Sequence, residues 1–210
     1  MDNTRFISFE GIDFCGKSTQ VRLLIDALHE RGIHAHLLRE PGGTEISEKV
    51  REILLNKSHQ AMHPRAEILL YSAARAQLVH EKLLPMLASG EYIIADRFFD
   101  STTAYQGFGR GLDLSFVNQL NHFATSGLVP HKTFLLSISP EEAARRRKSA
   151  GRANDRLESE HISFYRQIEQ GYRQLAEDFS GRFITIPGAG SVENIAGEIK
   201  RQVFKIWNLE

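Results

Sequence analysis

Residues 11–18 read Gly11-Ile12-Asp13-Phe14-Cys15-Gly16-Lys17-Ser18, the G-x-x-x-x-G-K-S spacing of a phosphate-binding loop. Such a loop works only between a strand and a helix, so it constrains everything around it. Phe6-Ile7-Ser8-Phe9-Glu10 alternates like a buried first strand, and Val21, Leu24, Ile25 and Leu28 follow at the i, i+3, i+4, i+7 spacing of a helix face. Backbone N–H groups of the turn, together with the positive end of the helix dipole, make an anion cradle. Lys17 is expected on the β- and γ-phosphates and Ser18 on Mg²⁺. A turn that only caps a helix leaves the agreement of pattern and context unexplained. The chain is therefore expected to bind a nucleoside triphosphate.

A chain of 210 residues suits a single α/β domain with a real core and a small mobile insert. Lys+Arg and Asp+Glu both number 26, so no basic excess points to nucleic acid. The single cysteine leaves no intrachain disulfide framework and no CxxC metal pair. The nine histidines show no metal-ligand spacing. No apolar run approaches a membrane span, and the first strand begins too early to leave room for a signal peptide. A cytoplasmic enzyme is expected.

Strands and helices alternate along the rest of the chain. Further strands are expected at His36–Arg39, Tyr92–Asp96, Thr133–Ile138 and 182–186. Helices are expected at about 18–31, from Thr44 or Ser47 to Leu55, from Pro64 toward Gly90, at 114–126, from Ser139-Pro140, at 161–179 and from Ser191. Pro85 should kink or end the long one. Residues 148–157 are polar, basic and broken by Gly151, and read as a lid. Five short strands alternating with helices predict an open parallel sheet covered on both faces, with ligands beyond the carboxyl ends of its strands.

Three other segments converge on that crevice. Asp96 follows an apolar strand, where an acid can hold Mg²⁺ opposite Ser18, and Arg97 next to it can offer its fork to a second phosphate. The alternative reading of Asp-Arg alone is a strand-end salt bridge. Among the basic residues 145–156, Arg145 and Arg147 read as a solvated face, while Arg152 and Arg156 suit a lid closing on polyphosphate. Tyr71 and Arg75, four apart on a helix, are either a base-stacking and base-reading pair or a core tyrosine beside a surface arginine. No Asn-Lys-x-Asp sequence reads guanine as in a GTPase. Cys15 lies at a helix N-terminus near Lys17, where a thiol can be activated, but the reading preferred is a small side chain that simply fits the loop.

Together these residues resemble the thymidylate kinases over nearly the whole chain. The resemblance rests on Phe9-Glu10-Gly11-Ile12-Asp13, Gly16-Lys17-Ser18-Thr19-Gln20, Arg39-Glu40-Pro41-Gly42-Gly43-Thr44 and Arg75-Ala76-Gln77. It continues through Asp96-Arg97-Phe98, Ser101, Ala104-Tyr105-Gln106-Gly107 and Asp155-Arg156-Leu157-Glu158. It implies a phosphate-loop nucleotide kinase fold and transfer of a phosphoryl group from ATP, with Mg²⁺, to dTMP. It also implies a homodimer, plausibly formed through the long helices.

By the same resemblance, Gly11 to Thr19 would hold the triphosphate and Arg146 would pack on adenine. Asp13 would meet the deoxyribose 3′-hydroxyl, Tyr71 would stack on thymine, and Arg75 would donate to the base edge. Arg97, with Arg39, would hold the acceptor phosphate. Thr102 would touch the base, Tyr105 would crowd the 2′ position, and Gln106 would line the same pocket. Lys17, Arg97, Asp13 and the lid arginines would act in transfer. Phe14 occupies a loop position where one branch of the family carries a helping arginine, so this chain resembles the bacterial branch, which draws that arginine from the lid, here Arg156 or Arg152. Two other readings stand beside this one: another small-molecule kinase of the same fold, and a phosphate-loop switch without transfer activity.

Overall fold

The computed structural model describes residues 3–151 and 155–209. Strand β1 (Phe6–Glu10) is buried along its whole length. It pairs in parallel with β3 (Tyr92–Asp96) on one side and β4 (Lys132–Ser137) on the other, and β2 (Ala35–Arg39) and β5 (Phe183–Pro187) form the edges, in the order β2-β3-β1-β4-β5. Alternation along β1 explains why both faces need cover. Ile7 and Phe9 join one apolar cluster with Leu24, Leu28, Phe134, Ile168, Ile199 and Val203, whereas Phe6 joins a second with Leu78, Val79, Leu83, Ile93 and Phe98.

Helices α1 (Lys17–His29), α8 (Ile162–Asp178) and α9 (Val192–Ile206) cover the first face. Helix α3 (Pro64–Leu78) and its continuation cover the second. Helices α2 (Glu45–Leu55), α6 (Leu114–Thr125) and α7 (Pro140–Ser149) complete the shell. Helix starts carry the expected caps: Thr44, Asp113, Ser139 and Ser191 each accept a backbone N–H with their side-chain oxygen. No helix of the described residues is long and apolar enough to cross a membrane.

Two features add to the expectation. The α-helix from Pro64 is interrupted just before Pro85 rather than at it. A π turn (Val79–Leu83) intervenes, in which Leu84 N–H bonds Val79 O, and the chain continues as α4 (Leu84–Ala88). The widened turn places Pro85 in the first turn of a new segment, where its missing N–H is not needed. Residues 99–109, read without an element, form α5 (Phe99–Thr102) and a second π turn (Thr103–Gly109).

This second segment packs tightly against α8. A Cβ on Gly109 would lie 2.7 Å from the Phe164 ring, and one on Gly171 would lie 2.7 Å from the Phe108 ring. Glycine at these two crossings lets α8 approach closely enough for its tyrosines to reach the crevice at the strand ends.

Candidate active site

The phosphate loop is shaped by backbone choice. Gly11 has φ 137° and Gly16 φ 102°, and a Cβ on Gly11 would meet the Leu136 carbonyl at 2.5 Å. Phe14 takes φ 64° without being glycine, a strained conformation of the kind that costs about 1–3 kcal/mol and gathers at functional sites. Cys15 is buried, its Sγ 2.8 Å from where a Gly11 Cβ would stand, so its small side chain fills the loop's interior. Lys17 Nζ donates to Gly11 O at 3.1 Å and Ile12 O at 3.3 Å, curled over the loop.

Register brings the second site beside the first. Asp96 is the partner of Phe9 on one side and of Arg39 on the other, so the ends of β1, β2 and β3 lie abreast. Between them and α3 opens a cavity of about 540 Å³. Asp13, Phe14, Gly16, Lys17, Ser18 and Thr19 line it from the loop, joined by Arg39, Tyr71, Arg75, Asp96, Arg97, Thr102, Tyr105 and Gln106. Gly11 and Ile12, at the start of the loop, do not line the cavity. Arg146 also lies outside it, with Nη1 donating to Cys15 O at 3.3 Å and Nη2 to Gly188 O at 2.8 Å, which fastens the loop to the turn after β5.

Arg97 is the centre of the polar network. Its φ of 73° turns the side chain back over the loop. Nη2 donates to Asp13 Oδ1 at 2.5 Å and to the Tyr105 hydroxyl at 3.1 Å. Nη1 donates to Gly11 O at 2.9 Å and to the hydroxyls of Ser101 and Tyr172 at 3.2 Å. Burial pushes the Asp13 carboxyl up, but the charges of Arg97 and Lys17 and the Tyr105 hydroxyl outweigh it and hold the group below the usual carboxylate range. Asp13 is therefore ionised at neutral pH.

Behind Arg97 stands Glu10, fully buried. It accepts from Phe98 N–H at 2.8 Å, Ser101 Oγ at 2.5 Å and the Tyr172 hydroxyl at 2.8 Å. Burial, reinforced by the neighbouring Asp100 carboxylate, raises Glu10 to about 7 against the pull of Arg97. On α8, one pair of turns before Tyr172, the Tyr165 hydroxyl donates to Asp13 Oδ2 and to Leu157 O, both at 3.3 Å. Sequence reasoning gave no role to Glu10, Tyr165 or Tyr172. An acid at the end of an otherwise apolar strand was the one available signal.

The base end of the cavity is equally organised. Arg75, expected beside Tyr71, is buried and paired with Glu40, while Gln106 Nε2 donates to Glu67 at 2.9 Å. Arg39 is half exposed and bonds both Glu48 oxygens, at 2.9 and 3.0 Å. Ser18 Oγ donates to Asp96 Oδ2 at 2.8 Å.

The two lid arginines differ. Arg152 lies outside the described residues. Arg156 is buried and absent from the cavity lining: Nε donates to Leu54 O at 2.7 Å, and Nη2 pairs at 2.6 Å with Glu67, which also holds Arg110.

The family model described as "Thymidylate kinase" matches residues 9–199. Curated relatives carrying the same description include one from Caldanaerobacter subterraneus subsp. tengcongensis, 50% identical over 188 residues, covering 90% of this chain and 89% of the relative. Another, from Pelodictyon phaeoclathratiforme, is 46% identical over 201 residues, 92% of each chain. A third, from Kosmotoga olearia, is 42% identical over 197 residues, 94% of each.

Proposed function

We propose that this chain, which belongs to the thymidylate kinase family, transfers the γ-phosphoryl group of ATP to dTMP, giving dTDP and ADP, for deoxynucleotide biosynthesis in the cytoplasm. The supporting observation is the assembly in one cavity of the phosphate loop, the Asp13–Arg97–Tyr105 cluster and the Tyr71–Arg75 pair. A phosphate-loop switch has no use for the last two sets.

The acceptor phosphate is already ionised near neutral pH, so no strong general base is required. A phosphate oxygen of dTMP forms the new bond to Pγ as the bond from Pγ to the β-bridging oxygen breaks. Positioning and charge neutralisation supply most of the acceleration. Lys17 and the loop N–H groups hold the donor. Arg97 and Arg39 hold the acceptor phosphate, Asp13 its sugar hydroxyl, and Tyr105 crowds the 2′ position. Tyr71 stacks on the base and Arg75 donates to its edge, with Thr102 and Gln106 completing the pocket. Arg146 lies beside adenine.

Ser18 Oγ and Asp96 Oδ2, two oxygen donors side by side at the phosphate end, suit Mg²⁺, whose shell is completed by waters and phosphate oxygens. That ion, when bound, neutralises charge building on the transferred group.

The lid supplies the remaining cation. Arg156 is occupied by Glu67 and Leu54, so it anchors the lid's end, and Arg152 takes the transfer role. Arg152→Ala is expected to lower kcat by roughly 10²-fold or more at nearly unchanged KM values, the cost of losing one transition-state donor. Arg156→Ala should act first on thermal stability. Steady-state kinetics and melting curves of both variants check this, and a large kcat loss confined to Arg156→Ala would reverse the assignment.

Leu69 on α3, and Phe116 and Phe123 on α6, are exposed apolar side chains on two helices that pack together, Phe123 at 78% exposure. A homodimer formed through this face would bury them. A monomeric mass by light scattering at micromolar concentration would contradict it.

A further inference from the structure

Arg97 is held by groups that do not themselves line the loop. It borders the cavity with its side chain only 16% exposed, and its backbone φ of 73° is one that side chains rarely adopt. The Nη1 corner of its fork meets two hydroxyls at 3.2 Å, Ser101 on α5 and Tyr172 on α8. An arginine can only donate, so both hydroxyls accept from it and direct their own hydrogens elsewhere. Glu10 receives them. Its Oε2 lies 2.5 Å from Ser101 Oγ and 2.8 Å from the Tyr172 hydroxyl. The hydroxyls are 3.0 Å apart, and whichever of them bridges to the other, the chain of hydrogens still ends on Oε2.

The two oxygens of Glu10 divide their work. Oε1 accepts the backbone N–H groups of Phe98 at 2.8 Å and Ser101 at 3.3 Å, which fastens the start of α5 to the end of β1. Oε2 takes the two hydroxyls and stands 4.0 Å from Arg97 Nη1. Four donors thus converge on a fully buried carboxylate, which fills its accepting capacity.

We propose that Glu10 is a positioning residue for the acceptor phosphate: acting through the hydroxyls of Ser101 and Tyr172, it fixes the plane in which Arg97 presents its fork. Only a group that accepts at both oxygens can do this. An amide in its place, whichever way it is turned, sets its N–H groups against either the backbone N–H groups or the hydroxyls. Turned on the hydroxyls, it makes them accept from the amide and swings their hydrogens toward the guanidinium. In a buried network such a reversal finds no water to relieve it. The inference rests on the reading of Arg97 as the residue that holds the acceptor phosphate.

The test is calorimetric titration with dTMP and with thymidine, which shares the base and sugar but lacks the phosphate. The ratio of the two Kd values reads what the phosphate contributes. Tyr172→Phe is the sharpest variant, because it removes one hydroxyl and leaves both bonds to Oε1 in place. It should lower that ratio about tenfold, the scale of a hydrogen bond to a charged group. Glu10→Gln should lower it further. Added to Arg97→Ala, Tyr172→Phe should change the Kd for dTMP by less than about twofold, because the group it positions is gone.

An unchanged ratio in Tyr172→Phe would overturn the proposal, since a merely structural role weakens dTMP and thymidine alike. The same loss repeated in the Arg97→Ala background would overturn it too. If Glu10→Gln does not fold, the cycle of Tyr172→Phe with Arg97→Ala decides alone. Arg97→Ala by itself separates the two layers. If it lowers the ratio while the Tyr172 and Glu10 variants do not, the phosphate site stands and the role of Glu10 falls. If it weakens dTMP no more than thymidine, the reading of Arg97 itself has failed.

Discussion

Arg97→Ala is expected to lower kcat/KM for dTMP by roughly 10²–10³-fold, the scale of losing a preorganised charged donor, while ATP binding stays within twofold. The asymmetry follows from where the guanidinium lies. Its partners Tyr105, Ser101 and Tyr172 lie on the acceptor side, and its two contacts with the loop, the Asp13 carboxylate and the Gly11 carbonyl, leave the loop N–H groups and Lys17 untouched. Truncation removes the fork meant for the acceptor phosphate and frees Asp13 from the ion pair that orients it. Arg97→Lys keeps a charge but not the planar fork, so it should recover only part of the loss. Nucleotide titrations separate the two effects, and unchanged dTMP kinetics in Arg97→Ala would remove this residue from the acceptor site.

A second large effect is expected far from the chemistry. Arg182 bonds both oxygens of Asp100, at 2.6 and 2.8 Å, and donates to Thr133 Oγ1 at 2.7 Å. Its guanidinium also lies over the rings of Phe99, Phe179 and Phe183. Asp100 is only 1% exposed. Arg182→Ala strands that carboxylate, and breaking one side of a buried pair costs about 3–5 kcal/mol. For a domain of this size that corresponds to a fall in Tm of roughly 10 °C or more.

Replacing both partners, Asp100→Asn with Arg182→Met, should restore a good part of the loss, since no buried charge is left alone. A calorimetric Tm within about 2 °C of the parent for Arg182→Ala would contradict the staple. Ser101 and Glu10 border Asp100, so this staple also steadies the segment that holds Arg97.

What could be read from the sequence followed from how locally each feature is specified. The phosphate loop is contiguous, and its flanking strand and helix announce themselves by period. Tyr71 and Arg75 share a face because four residues make about one helical turn. Five strands came out in place for the same reason: each is a short apolar run bounded by breakers.

The carboxylates that organise the site were a different matter. Glu40 meets Arg75 from 35 positions away and Glu10 meets Phe98 from 88, separations that no local pattern encodes. Arg156 was expected in the crevice because basic lid residues suit phosphate, but Glu67, on a helix nearly ninety residues earlier in the chain, holds it. The helical segment at 99–109 escaped notice because Thr, Ser and Gly are weak helix formers. Packing against α8, through Gly109 and Gly171, stabilises what local propensity does not. Pro85 was legible as an interruption, which takes the form of a π turn immediately before it.

A coupled ADP-release assay of the unmodified chain, with ATP and each of dTMP, dUMP, dCMP and dGMP, tests the central claim most directly. The expected result is ADP release that requires both Mg²⁺ and an acceptor, is fastest with dTMP, and yields one dTDP for each ADP. ADP release that proceeds without an acceptor, or that prefers dCMP or dGMP to dTMP, would contradict it.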